Sequence, residues 1–281
     1  MRRAIAAVVL MGAVLSGCVD DGPIRAGYPD PAFLGRNVDS GFRPETGGFS
    51  FANFSELTYR ERFAIDDMID VVGGGPRVCR DGLTDPCIPT EEAQSFIDIV
   101  ENARRAGHCE GMVVLAAVRH EWGLSPVTAD LEPMPHVVDA IIRAFATMFL
   151  PEVANEGRTW ATASLADVVA VLAEQLHVGH LDYGMGLYTE NGGHEVLPYA
   201  IDYPAPDHAR VWVYDPNWPL TQRWVDIDLA TETWRFSFAG SDPDSDPYAW
   251  SGDHTMLDLN SISVRAAALE ARGADLTPPG R

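Results

Sequence analysis

Three residues of this 281-residue chain have the types and order that thiol chemistry needs: Cys109, His194 and Asp215. A cysteine nucleophile needs a base that takes its proton, and the base needs a third group that fixes its tautomer. Cysteine, histidine and aspartate occur here in that order, so we interpret these three residues as candidates for such chemistry. Cysteine is often simply buried, so this interpretation depends on the partner motifs.

Cys109 stands at the predicted N-terminus of an apolar helix. Free backbone N–H groups and the helix macrodipole stabilise negative charge there, which favours a thiolate and could hold an oxyanion. Gly107 and Gly111 flank the cysteine and would let a substrate backbone approach, and Gly192 and Gly193 leave room beside His194. Gly193 is therefore a candidate binding residue.

Asp215 ends a predicted strand that is apolar on both faces, and Pro216 stops the strand after it. This position should hold the carboxylate firmly. Asn217, two residues further on, is a second candidate for the group beside the His194 ring and a candidate binding residue.

The spacing of apolar residues along the chain changes near Gly179, from the helical period to an alternation of two. Before it, apolar stripes predict helices that begin after Thr90, at Cys109 and after Ser164, where Asp167 completes a capping pattern. After it, alternation predicts antiparallel strands, the last two forming a hairpin. Helices first and strands second predict an α+β domain.

The motifs Gly-x-Cys-x-Gly-Met, Gly-His-x-Val and Val-x-Val-Tyr-Asp-Pro-Asn resemble those of the papain-like cysteine peptidases. The likeness is to bacterial branches related to double-glycine-leader peptidases, and Gly48–Phe54 adds a weaker similarity. The resemblance implies a papain-like fold, with a helical first half packed on an antiparallel sheet. It also implies that Cys109 is the nucleophile, His194 the general base and Asp215 the orienting acid.

Two features differ from the papain-like pattern. Residues 102–108, directly before Cys109, contain no glutamine to stabilise an oxyanion, so Asn53 and Asn102 are candidates for that role. Glu110 directly follows the cysteine, and a carboxylate so close would oppose formation of the thiolate.

The N-terminus has the layout of an export signal: two arginines, twelve apolar residues and a small-residue segment before Cys18. Leu15–Cys18 resembles the lipobox of bacterial lipoproteins, which implies lipidation of Cys18 and anchoring to a membrane of the cell envelope. We expect a signal peptide (1–18), a flexible tether (19–46), the peptidase-like domain (47–265) and a C-terminal tail (266–281).

The remaining cysteines and the net charge bear on the compartment and the partners. In an oxidising compartment Cys79 and Cys87 should form a disulfide, which leaves Cys109 unpaired. A formal charge of −21 disfavours nucleic acid as a partner. His177 and His180 lack a second ligand pair, so neither a metal nor another cofactor is expected.

Three functions remain. The first is a thiol hydrolase or acyl transferase, and the favoured case is a cysteine peptidase that acts on extracytoplasmic peptides in the periplasm or at the cell surface. The second is a catalytically inactive relative that binds a peptide or an envelope partner. The third is a structural lipoprotein without a binding groove.

Overall fold

The computed structural model describes residues 33–190 and 192–280. In this part of the chain, helices pack around one antiparallel sheet, so the predicted α+β class is confirmed. The expected signal peptide and Cys18 lie outside the described residues.

The helices begin where capping residues predict them. Thr90 accepts a hydrogen bond from the Ala93 amide at 3.1 Å, and Ser164 and Asp167 form a reciprocal capping box. The helices are α1 (Pro44–Gly47), α2 (Ile65–Val72), α3 (Glu91–Ala103), α4 (Cys109–Glu121), α5 (Pro135–Ala146), α6 (Pro151–Thr159), α7 (Leu165–His177) and α8 (Ile262–Glu270).

The strands form a single sheet of order β7-β6-β5-β4-β3-β2-β8, with β1 paired to β3. Consecutive strands from β2 to β7 are neighbours, and the predicted hairpin is β5–β6. The strands are β1 (Val38–Asp39), β2 (Tyr183–Thr189), β3 (Gly192–Ala205), β4 (His208–Tyr214), β5 (Gln222–Asp228), β6 (Thr233–Phe236), β7 (Trp250–Asp253) and β8 (Leu257–Ser261).

Helix α4 lies in the centre of the domain. Its residues from Met112 to Val118 are at most 4% exposed, as an apolar run on every side of a helix predicts. Gly111 allows α5 to approach closely, because a Cβ at this position would lie 2.3 Å from the carbonyl oxygen of Ile141. The helix that carries Cys109 is therefore held on all sides.

The packed domain begins before the expected boundary at residue 47. Val38 and Asp39 pair with Ile201 and Ala200 of β3, and Phe42 is fully buried. The physical reason is the length of β3: β2 pairs with it only as far as Val196, so β1 covers backbone groups that would otherwise remain at a free edge. The described part of the expected tether is thus structured.

The C-terminal boundary also differs from the expectation. The expected tail from residue 266 starts within α8, which runs without a break to Glu270, and Leu269 and Leu276 are buried. Strand β8 pairs with β2, so the last elements complete the sheet. No described helix is both long enough and apolar enough to span a membrane.

Cys79 and Cys87 form the predicted disulfide, with their Cα atoms 5.1 Å apart. Closing so short a loop should stabilise the fold by about 2–3 kcal/mol in the chain-entropy model. Among the described cysteines, Cys109 is the free thiol.

Candidate active site

Cys109 is the first residue of α4 and is half-buried, so its sulfur is both supported and reachable. Its backbone N–H lies in the first helical turn, where no intrahelical acceptor exists. The preceding turn requires glycine, because Gly107 has φ +121° and a Cβ there would lie 2.6 Å from Nδ2 of Asn53.

His194 and Asp215 meet beside this cysteine. His194 Nε2 lies 2.7 Å from Oδ1 of Asp215, and the Cys109 side chain lies close enough to the imidazole to raise its pKa. His194 is 4% exposed and Asp215 is fully buried. The structure therefore brings together the three residues that the sequence analysis selected, although 85 and 21 positions separate them in the chain.

The charges in this group favour an ion pair. Burial lowers the pKa of His194, but the charge and hydrogen bond of Asp215, together with Cys109, outweigh burial and raise it to about 10. At neutral pH the imidazole of His194 therefore carries a positive charge beside the Cys109 side chain.

Asn217 also lies at the site. Its backbone N–H donates to Oδ1 of Asp215 at 2.8 Å, which helps to hold the carboxylate. Its side-chain Nδ2 lies 3.5 Å and 3.4 Å from the two ring nitrogens of His194. Near-equal distances mean that the Asn217 amide packs against the imidazole, while Asp215 makes the short contact with Nε2.

Asn53 links the site to the N-terminal part of the domain. Its Oδ1 accepts from the His108 amide at 2.7 Å, and its Nδ2 donates to Oδ1 of Asn217 at 3.0 Å. The second Nδ2 hydrogen and the Cys109 N–H could together hold an oxyanion. Asn102, the other candidate for that role, lies exposed on α3.

His108 supports the turn before the nucleophile. Its Nδ1 donates to the Phe54 carbonyl at 2.6 Å, and its Nε2 accepts from Arg104 Nε at 2.9 Å. Burial and the Arg104 charge outweigh the Phe54 bond and lower the pKa of His108 to about 4. The ring is therefore neutral, and its two hydrogen bonds hold the turn before Cys109 in place.

Glu110 does not oppose the thiolate as freely as the sequence suggested, because its carboxylate pairs with the buried guanidinium of Arg265 in α8. Two further carboxyl groups, Glu195 and Asp258, lie in the same buried region. Burial and the Glu110 charge raise the pKa of Glu195 well above its usual range. Burial is also the main reason that the pKa of Asp258 rises to about 7, so both groups hold protons readily.

Of the four glycines to which the sequence analysis assigned room for a substrate, Gly192 alone faces open space, and the other three face filled space. Successive residues of a strand point to opposite faces of the sheet, so Gly193 and His194 face opposite sides. Gly193 faces the Tyr188 ring, and a Cβ there would lie 2.8 Å from a ring carbon. Gly111 faces α5 and Gly107 faces Asn53. These three glycines serve packing inside the domain.

Aromatic side chains lie next to the imidazole of His194 and reach the surface. The Phe238 ring meets His194 edge-on at 5.8 Å and stacks on Trp250 at 4.7 Å. Trp218 donates through Nε1 to the Phe238 carbonyl at 3.0 Å. Phe238 and Trp218 are 38% and 39% exposed, so a substrate at Cys109 would meet apolar surface.

The sequence analysis missed Arg223, the second partner of Asp215. Its Nε lies 2.9 Å from Oδ2 of Asp215, and both side chains are 1% exposed. A signal was present in the sequence: Arg223 precedes Val225 and Ile227 at alternate positions, which assigns all three side chains to the buried face of β5.

Two other features of the described residues take no part in this site. No group of three or more His, Cys, Asp or Glu side chains among them could hold a metal ion. A groove of about 760 Å³ lies between the C-terminal end of α4 and α8, lined by residues that include Trp122, His180 and Ile262. At 1.5 Å per residue, the length of α4 separates it from Cys109 by roughly 18 Å.

In comparisons with known proteins, neither a family, a curated protein nor a solved structure matches this chain. The function must therefore be inferred from the site itself.

Proposed function

We propose that this protein is a papain-like thiol hydrolase, specifically a cysteine peptidase that cleaves peptides outside the cytoplasm. The observation that carries the proposal is the contact of Cys109 with His194 and of His194 with Asp215. A cysteine at the N-terminus of a central helix, beside a sheet that carries the histidine and the acid, also agrees with a papain-like arrangement.

The mechanism follows from these contacts. The Cys109 thiolate attacks the carbonyl carbon of the scissile amide, and the Cys109 N–H with Asn53 Nδ2 stabilises the oxyanion. The His194 imidazolium gives its proton to the leaving amine as the C–N bond breaks and a thioester forms. His194 then takes a proton from water, which attacks the thioester and releases the acid. Asp215 orients the imidazole throughout.

The proposed location outside the cytoplasm has two supports. The first is the lipobox-like segment before Cys18. The second is the Cys79–Cys87 disulfide, since such bonds persist in oxidising compartments. Lipid on Cys18 would anchor the protein to a membrane and leave the domain in water.

Alkylation of Cys109 by iodoacetamide over a range of pH tests the proposal. A free cysteine has a pKa of about 8.5, so its rate falls about tenfold for each pH unit below 8. A Cys109 thiolate paired with imidazolium should react at pH 6 nearly as fast as at pH 8, as followed by mass spectrometry of its peptide. A rate that falls like that of a free thiol would overturn the proposed nucleophile.

Hydrolysis of a peptide library then separates an active enzyme from an inactive binding protein. Cys109→Ala is the control, because the change removes only the sulfur from a half-buried position. We expect cleavage by the native chain and none by this variant. An activated thiol that cleaves no peptide would favour the inactive relative that binds a peptide or an envelope partner.

A further inference from the structure

Arg223 lies beyond Asp215, on the side away from the nucleophile. Oδ1 of Asp215 contacts His194 and the Asn217 amide, whereas Oδ2 has the Arg223 guanidinium as its close neighbour at 2.9 Å. The Nε–H is not aligned with Oδ2 as a hydrogen bond, so the contact is an ion pair. A fully buried carboxylate with an uncompensated oxygen would be costly.

The surroundings of Arg223 fix its position. The guanidinium carbon lies 5.1 Å from the centre of the Trp218 ring and 5.2 Å from that of Phe236. Nη2 of Arg223 donates to the Ser237 carbonyl in the loop after β6. Two aromatic faces and a backbone acceptor therefore hold the cation against Asp215.

We propose that Arg223 is a positioning residue of this site, which acts through Asp215 to balance the charge of the thiolate–imidazolium pair. This inference rests on the proposed function. The four groups Cys109, His194, Asp215 and Arg223 alternate in charge and sum to zero. Without Arg223, the same buried line of groups carries one uncompensated negative charge.

Removal of the Arg223 charge should shift the pH at which neighbouring groups lose their protons, and the direction of this shift can be stated. A positive charge favours proton loss from neighbouring groups, so its loss moves proton release from both Cys109 and His194 to higher pH. Other titratable or charged groups also face these residues: Asp246 in the loop after β6, Tyr214 of β4, and Glu110 and Glu195 near Cys109. They are unchanged in an Arg223 variant, so the shift reports the loss of Arg223.

The test is the pH dependence of Cys109 alkylation by iodoacetamide in four full-length variants. In Arg223→Gln the profile should move up by about one pH unit, with a rate about tenfold lower on its acid side. Arg223→Met should shift equally, and its long side chain preserves packing between the two rings if the glutamine variant does not fold. Arg223→Lys, which keeps the charge, should restore the native profile.

Arg235→Gln is the matched control. It removes an arginine from the adjacent strand, where the side chain is half-exposed and pairs with Asp244. Its profile should coincide with the native one. If the neutral Arg223 variants also coincide with an activated native protein, the inference is overturned while the proposed function stands. If the native thiol itself titrates like free cysteine, the proposed function fails instead.

Discussion

The side-chain amide of Asn53 donates to Oδ1 of Asn217 at 3.0 Å, which ties the segment before α2 to the loop that carries Asp215. This relationship places a polarised N–H beside the turn that presents Cys109. The oxyanion role of Asn53 can be separated from a structural role by kinetics.

Asn53→Ala should lower kcat for peptide hydrolysis by about 10²–10³-fold, the usual loss of one oxyanion donor, with a smaller change in KM. Steady-state kinetics on a fluorogenic peptide would measure both constants. Asn102→Ala is the control, since it removes an exposed amide on α3 and should leave kcat unchanged. Equal losses in the two variants would exclude the role of Asn53.

Asp215→Asn should separate the charge of Asp215 from its geometry. An asparagine oxygen can still accept from His194 Nε2, but the charge that raises the His194 pKa to about 10 is gone. The pKa should fall by about two units or more, and imidazolium would then be lost at correspondingly lower pH. NMR titration of the His194 ring would show this change.

Asp215→Ala removes the acceptor as well and should cost about 10⁴-fold in kcat. If the asparagine variant keeps the native His194 titration, Asp215 is not the group that holds the imidazolium.

His108 should make the fold sensitive to acid. Its folded pKa of about 4 lies below the ordinary 6.5, so its contribution to stability is complete above pH 6.5 and is lost as pH falls toward 4. The loss at pH 5 is about 2 kcal/mol. Urea unfolding at pH 7 and pH 5 should show this difference in the native chain and a smaller one in His108→Gln.

Asp258 should affect the pH dependence of folding stability in the opposite direction to His108. Its folded pKa of about 7 lies above the ordinary 3.8, so stability is complete below about pH 4 and is lost as pH rises through 7. Three pKa units correspond to about 4 kcal/mol, which partial exposure reduces to about 2. Asp258→Asn should therefore raise the free energy of unfolding at pH 8 by about 2 kcal/mol. An unchanged or lower value in urea unfolding would contradict the buried, proton-holding role.

Lipidation at Cys18 is a separate prediction from the sequence. Mass spectrometry of the native N-terminus should find an acylated cysteine at this position. Cys18→Ser should release the protein from membranes in cell fractionation. A mature chain that starts elsewhere and carries no lipid would contradict the lipobox assignment.

Much of the fold follows from local patterns. The continuous apolar run after Cys109 predicts the central position of α4, and Ser164 with Asp167 predicts the start of α7, because these signals depend on neighbours along the chain. The triad could be inferred from residue types, since each member stands at the end of an element. Local patterns therefore locate the candidate site residues.

The missed features depend on distant pairing. Nothing near Val38 shows that β3 leaves an unpaired edge for it, and nothing near Gly193 shows that Tyr188 fills its face. Arg265 compensates Glu110 from 155 residues away, and only the assembled fold brings them together. These contacts are set by register and packing between strands and helices.

The pairing of Glu110 with Arg265 also has a consequence for synthesis of the chain, because Glu110 is made well before Arg265. A chain made from its N-terminus presents Cys109 and Glu110 long before α8 emerges, and until then the carboxylate beside the nucleophile has no cation. The site is thus completed only when α8 has been made, because Arg265 follows Glu110 by 155 residues. Under the proposed function, a chain truncated before α8 would lack the cation that compensates Glu110 and would remain inactive.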